Sequence, residues 1–422
     1  MLNRRQFLSD AAFAAAGAVS GCAAQAGRGA EAARRSPQVR IRDVQVVRVR
    51  ERGKKDTALY LEIAADGGLA GHAGPLLAEQ AKAVSAGLRE LLVGRDALEP
   101  RALNSETLWE ALHPGKFKDY AAGRDPLTGQ AIWGTRRQGR HTPTGAVIMA
   151  ASAADNALWD LRGKARGVPV YRLLEGSRDR VPAYASMLGF SVEPAEARKT
   201  ARDFFDRGFT AQKWFFGHGP SDGDAGRRNN LDLVRTLREE LGPDARLMFD
   251  AIWKNWDVPY AVSMARDMLP YKPFWLEEPL YPEDIEGYAR IKGETGIPLA
   301  SGEHFYTRWN LRPFLDRKIL SVVQTDPEWC GGISELARIC GLVRTCENVQ
   351  VVPHGHHVLA AAHAVASQPE SLCPMVEFLF HRHARAIQRF QKRIVQPEGG
   401  YLEMPAEPGL GPPLDESRIE RV

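Results

Sequence analysis

From residue 247 onward, short apolar runs recur at near-constant spacing, and each stops at an ionisable residue. The runs are Leu247-Met248-Phe249-Asp250, Phe274-Trp275-Leu276-Glu277, Leu299-Ala300-Ser301-Gly302-Glu303, Val322-Val323-Gln324-Thr325-Asp326, Val351-Val352-Pro353-His354 and Met375-Val376-Glu377. Their stops lie 27, 26, 23, 28 and 23 residues apart. Each interval holds one strand and one helical stretch, the unit of a (β/α)₈ barrel of about 250 residues. Val181 to Ser186 and Thr210-Ala211-Gln212-Lys213 complete a set of eight strands. The longer Lys213 to Asp250 interval, 37 residues, absorbs the Gly/Asp-rich insertion Gly217 to Asn230. The C-terminal ends of barrel strands open onto one face, so Lys213, Asp250, Glu277, Glu303, Asp326, His354 and Glu377 are expected around one cavity.

A chain of 422 residues exceeds what one core usually holds and calls for a second domain. Val39 to Val49 and Ala58 to Ile63 alternate as strands around the turn Asp66-Gly67-Gly68, and 79–112 carries helical spacing. The expected architecture is α/β: a (β/α) TIM-like barrel over 151–390, preceded by an α+β domain over 38–150 and followed by a segment over 391–422. The stretch His113 to Thr144 is long and polar for a connection, as functional loops often are.

Residues 1–22 carry Arg4-Arg5, then Phe7-Leu8 and an apolar run too short to span a bilayer. They are similar to a twin-arginine export signal, which predicts a periplasmic protein. Val19-Ser20-Gly21-Cys22 resembles a lipobox, making Cys22 a candidate lipid anchor and 23–37 a tether; cleavage near Ala23 to Ala26 is the plain alternative. With 56 Lys and Arg against 52 Asp and Glu and no basic block, nucleic acid is not an expected partner. The five Cys show no CxxC pair, and apart from Cys22 they suit packing.

Asp250, Glu277 and Glu303 end successive strands, and three adjacent carboxylates cannot all stay ionised without positive charge between them. A hard divalent cation answers that, and an all-oxygen ligand set favours Mg²⁺ over Zn²⁺, one per subunit. Any one of these carboxylates could be a helix cap or half of a surface pair; three in phase make that reading unattractive. Glu278 is expected to face away from the cavity by strand alternation. Asp326, one unit before His354, can hold the far imidazole nitrogen and prepare His354 as a base. Glu377, if protonated, and Lys213 can stabilise a developing oxyanion, although a buried Lys213 can equally serve to neutralise carboxylates. His304 is a candidate substrate contact or a packing residue.

These residues, in this order, resemble the enolase superfamily, in the branch of mandelate racemase and muconate lactonising enzyme. The phrases are ADNALWDLRGK (Ala154 to Lys164), Trp275-Leu276-Glu277-Glu278-Pro279, Ser301-Gly302-Glu303, DPEWCGG (Asp326 to Gly332) and Val352-Pro353-His354-Gly355. The chain is most similar to acid-sugar dehydratases of the L-rhamnonate dehydratase type, through Lys213, His218-Gly219-Pro220, Glu303-His304, Trp329 to Gly332 and Pro408-Gly409-Leu410-Gly411.

The resemblance implies Mg²⁺ chelated by the carboxylate and 2-hydroxyl of an acid sugar, stabilising an enediolate as His354 removes the C2 proton. The same His354 then protonates the departing 3-hydroxyl, giving a 2-keto-3-deoxy acid. Racemases of this branch end the second strand Lys-x-Lys; Phe215 stands at the second position here, which disfavours two-base racemisation. The resemblance also implies a homo-oligomer and a modified (β/α) barrel in which 38–150 is a capping domain and 391–422 a C-terminal segment returning to it, with cap loops near Gly53 to Asp56 and Gly71 to Pro75 choosing the substrate, joined by Lys116 to Arg140. The alternatives are an epimerase or cycloisomerase on the same scaffold, a metal-independent glycosidase, and a non-catalytic sugar-acid binder.

Overall fold

The computed structural model describes residues 38–422 except 86, 100–102, 113–142, 252–255, 283 and 383–385. The export signal with Cys22, the tether and the stretch Lys116 to Arg140 lie outside the described residues. No described helix is long and apolar enough to cross a membrane.

Alternating residues build the first sheet from β1 (Ile41–Glu51), β2 (Thr57–Ala65) and β3 (Ala70–Leu76), paired antiparallel in that order. The C-terminal strand Ile419–Arg421 pairs antiparallel with β1, so the chain's end returns to its beginning. Beside the sheet lie α1 (Ala78–Ser85), α2 (Leu88–Leu92) and α3 (Ser105–Leu112). The helical spacing of 79–112 is therefore broken. Gly94 takes φ +83, a left-handed turn that no helix continues through. Helix α3 restarts where the Asn104 side chain accepts the Glu106 N–H at 3.0 Å.

The long helix α4 (Pro143–Arg166) opens on a proline, where a missing N–H costs nothing. It buries Ala150, Ala154, Ala157, Leu158 and Leu161 against Ile41, Leu61 and Ile63 of the sheet. The fit is close at Gly71: a Cβ there would sit 2.0 Å from the Ala157 carbonyl oxygen. Gly71→Ala must push sheet and helix apart and is expected to cost about 3 kcal/mol, seen as a lower denaturation midpoint with the barrel's fold retained.

Gly71 to Pro75 thus lies inside β3 against α4, which corrects its expected role as a substrate-choosing loop. The β1–β2 turn at Gly53 to Asp56 contacts the C-terminal segment, through Arg52 N–H to the Arg418 carbonyl at 2.9 Å and Arg389 to Asp56 at 3.3 Å.

The second half is a curled parallel sheet of β4 (Arg180–Ser186), β5 (Ala211–Phe215), β6 (Arg246–Asp250), β7 (Trp275–Glu277), β8 (Leu299–Ser301), β9 (Val322–Val323), β10 (Gln350–Val351) and β11 (Val376–Leu379). They run in the order β10-β9-β8-β7-β6-β5-β4-β11. Between its two ends, the Val351 N–H donates to the Leu372 carbonyl at 2.8 Å. Strand β12 (Tyr401–Glu403) pairs antiparallel with the start of β4, at the end away from the site. This is a modified TIM barrel carrying an antiparallel cap.

The barrel interior is filled by Tyr184, Ala211, Met248, Trp275, Ala300, Val322, Val352 and Met375, one from each strand run. Side chains repeat with period two along a strand. The next inward layer is therefore Ser186, Lys213, Asp250, Glu277, Gly302, Gln324, His354 and Glu377.

Candidate active site

Lys213 sits at the centre of that layer, 1% exposed, with its Nζ 2.6 Å from Glu277, 2.9 Å from Glu377 and 3.5 Å from Asp250. Burial disfavours its charge, but Glu277 and Glu377 outweigh burial and hold its pKa well above the ordinary lysine value. Lys213 is an ammonium ion that joins three strand ends.

The carboxylates do not share that charge equally. Burial pushes Glu377 up, yet Lys213 and His354 reverse it and leave the carboxyl lowered; its Oε2 also accepts the Gly355 N–H at 2.9 Å. Lys213 and His354 thus favour the ionised form of Glu377, whereas donation to an oxyanion requires the protonated form. Glu277 moves the other way. Burial raises it and Asp250, Glu377 and Glu303 add to the rise, against Lys213. Its Oε2 accepts from Trp275 Nε1 at 3.0 Å and Gln324 Nε2 at 2.8 Å.

Across the layer, His354 Nδ1 lies 2.6 Å from Asp326 Oδ2. Asp326 is fully buried and also accepts the N–H groups of Glu328 at 2.7 Å and His356 at 3.2 Å, so its carboxylate is fixed from three sides. The other ring nitrogen, Nε2, lies 3.2 Å from Glu303 Oε2. Burial opposes the imidazolium, but Glu303, then Asp326, raise His354 to about 9.

Glu303 also approaches His304 Nδ1, at 3.3 Å, and Glu278 Oε2 approaches the same nitrogen at 3.1 Å. Glu278 takes φ +38 immediately after β7, which breaks strand alternation and turns its carboxylate toward Glu303. That corrects the expectation that Glu278 faces away. Among the described residues, Glu278, Glu303 and His304 are the group whose ligand atoms all lie within 4.8 Å of one another. It shares Glu303 with the set expected from the sequence; Asp250 and Glu277 meet through Lys213 instead.

Several site residues were not evident in the sequence. Gln324 and Ser186 follow from counting by two up the strands, once the interior layer is known. Glu278 and Trp329 depend on backbone turns that no periodicity carries. Trp329 is 2% exposed, with its ring centroid 5.0 Å from that of His354. His356, whose ring also faces Trp329, is held neutral by burial, its pKa down to about 3. His357 is likewise lowered by burial, to about 4. His218 lies half-buried in the loop after β5, its carbonyl accepting from Trp256 Nε1 at 3.0 Å. Phe215 is half-buried at the end of β5, its ring 5.3 Å from Lys213 Nζ.

Comparison with known proteins agrees with this architecture. Residues 196–418 match the family described as enolase C-terminal domain-like, and residues 30–175 match the mandelate racemase / muconate lactonizing enzyme N-terminal domain. An L-rhamnonate dehydratase from Saccharopolyspora erythraea is 37% identical over 275 residues, covering 63% of this chain and 66% of that protein, slightly under two thirds of its length. The 3,6-anhydro-D-galactonate cycloisomerase from Zobellia galactanivorans superposes with a TM-score of 0.71 at 26% identity, covering 90% of this chain and 99% of that one. A mandelate racemase/muconate lactonizing enzyme-like protein from Rubrobacter xylanophilus gives a TM-score of 0.72 at 27% identity, covering 90% and 97%. With both halves of the chain matched and the fold shared, this protein belongs to the mandelate racemase/muconate lactonizing enzyme family of the enolase superfamily.

Proposed function

We propose that the chain is a Mg²⁺-dependent acid-sugar dehydratase that removes the C2 proton of an aldonate and expels the 3-hydroxyl as water. The observation that carries this is His354, its Nδ1 held by Asp326 at 2.6 Å and its Nε2 turned toward the acid cluster at 3.2 Å. One nitrogen is oriented and the other is placed to exchange a proton. The similarity to an L-rhamnonate dehydratase supports the same class of reaction.

The donors suit a divalent cation. Asp250, Glu277, Glu278, Glu303, Asp326 and Glu377 converge around Lys213, His304 and His354, and burial beside other carboxylates raises Glu277 well above its ordinary value. Asp250, Glu277 and Glu303 would hold the ion, with Glu278 and His304 beside it. When bound, it supplies positive charge that acidifies the hydrogen next to a substrate carboxylate.

The chain's own residues do the rest. In its neutral form, His354 takes the C2 proton at Nε2 while Asp326 keeps the ring oriented and stabilises the imidazolium that results. As the C2–C3 double bond forms and the C3–O bond breaks, the same nitrogen returns the proton to the leaving hydroxyl, which departs as water. The enol then tautomerises to the 2-keto-3-deoxy acid. Lys213 and the Gly355 N–H keep Glu377 ionised at the floor of the layer. Phe215 offers no second base from β5, so inversion at C2 is not favoured.

The test is incubation with a panel of aldonic and aldaric acids, scored for 2-keto acid and for exchange of the C2 hydrogen in D₂O. We expect a 2-keto-3-deoxy product that vanishes with EDTA and returns with Mg²⁺. Exchange without elimination points to an epimerase, and turnover that survives EDTA overturns the proposal. The proposal includes export by the twin-arginine route, Cys22 as lipid attachment point and assembly as a homo-oligomer. Mass spectrometry of the mature N-terminus checks the first two.

A further inference from the structure

Three imidazoles of the site lean on one indole. The Trp329 ring centroid lies 5.0 Å from that of His354, 5.3 Å from His356 and 5.8 Å from His304, with interplanar angles of 32°, 43° and 40°. Trp329 is held by its own backbone, whose N–H donates to the Asp326 carbonyl at 2.9 Å, so the residue that orients His354 also anchors Trp329. The indole belongs to a buried cluster with Trp109, Ile148, Met149 and Tyr306, against which Leu77 packs. Trp109 is on α3, and Ile148 and Met149 are on α4, so this cluster joins the cap to the barrel mouth.

The contacts of Nδ1 with Asp326 and of Nε2 with Glu303 lie along one line across the His354 ring and leave its tilt about that line unset, the more so once Nε2 turns to substrate. A flat, immobile neighbour sets the tilt, and an aromatic face additionally favours the imidazolium formed midway through the reaction. We infer that Trp329 is a positioning residue: it sets the plane of His354 so that Nε2 meets the substrate's C2 hydrogen, and it couples that plane to the seating of the cap. A shift of about 1 Å at a proton-transferring atom can cost about 100-fold in rate, so the effect belongs in kcat. This inference rests on the dehydratase reading for its kinetic arm only.

The experiment compares wild type with Trp329→Leu and Trp329→Phe. Long-range ¹H–¹⁵N correlation of the histidine rings, which needs no substrate, reports the His354 tautomer. In Trp329→Leu we expect kcat reduced about 100-fold with KM little changed, and averaged His354 ring signals. Trp329→Phe, which keeps a flat face, is expected to fall between the two in both readouts. Trp329→Leu with wild-type kcat and ring signals overturns the inference. So does a loss of stability and activity in which the His354 signals stay as in wild type, since a packing role alone gives that pattern. Should Trp329→Leu fail to fold, Trp329→Phe decides: intermediate values support the inference and wild-type values overturn it. If no acid sugar is turned over by the wild type, the dehydratase reading fails while the ring signals still decide the part played by Trp329.

Discussion

His354→Asn is expected to lower kcat for elimination by about 10³-fold or more, at the upper end of what a positioned acid–base group contributes. Asparagine keeps a polar group of similar reach toward Asp326 but cannot accept and return a proton. Substrate should still bind, because the acid cluster and Lys213 are untouched, so calorimetric affinity is expected to stay near wild type. A variant within tenfold of wild type in kcat would show that His354 is not the base. The substitution also has a signed effect on stability. The folded imidazole titrates near 9 against 6.5 unperturbed, so its bonds to Asp326 and Glu303 stabilise the fold fully below 6.5. The contribution is lost as pH rises through 9. Without metal, the stability gap between wild type and His354→Asn should be widest in mild acid and close toward alkaline pH.

The second large effect is structural. Lys213→Met removes the cation that lies 2.6 Å from Glu277, 2.9 Å from Glu377 and 3.5 Å from Asp250, all of them buried. Stripping one partner from a buried ion pair typically costs about 3–5 kcal/mol, because the remaining charge is left uncompensated. In the variant, Glu377 loses the main influence that lowers it, and its pKa must rise with that of Glu277. A carboxyl raised in the folded state destabilises on ionising, so the variant should gain stability as pH falls and lose it as pH rises. Denaturant melts at pH 5 and pH 8 check this. Equal stability of wild type and variant at pH 8 would show that Lys213 does not balance the carboxylates.

The barrel was legible because two regularities coincide in the chain: runs long enough for one strand, and intervals long enough for one helix. Strand parity then placed Lys213, Asp250, Glu277, His354 and Glu377 on one inward layer. What escaped was set by single backbone angles and by mutual charge. Glu278 reaches the acid cluster only because φ at that residue is +38, and nothing in Trp275 to Pro279 announces that turn. Gly71 to Pro75 has the composition of a loop, yet its glycine permits the close contact of β3 with α4. The sequence admits Glu377 in either form, since burial raises a carboxyl and a neighbouring cation lowers it; Lys213 beside it pulls it down. The helical spacing of 79–112 was visible, but not the turn at Gly94 that divides it.

The central claim is a divalent cation held by the carboxylates at the ends of β6, β7 and β8, facing the His354 ring. Mn²⁺ titration of the purified protein, followed through paramagnetic broadening of the histidine ring signals, tests it without knowledge of the substrate. We expect one ion per chain, with the His354 and His304 signals broadened first, and both binding and broadening lost in Glu303→Gln. In parallel titrations, Glu277→Gln is expected to weaken the ion more than Glu278→Gln, since Glu277 is the proposed ligand and Glu278 lies beside it. A protein that binds no Mn²⁺ at stoichiometric concentration, or binds it and leaves the His354 signals sharp, would contradict the claim.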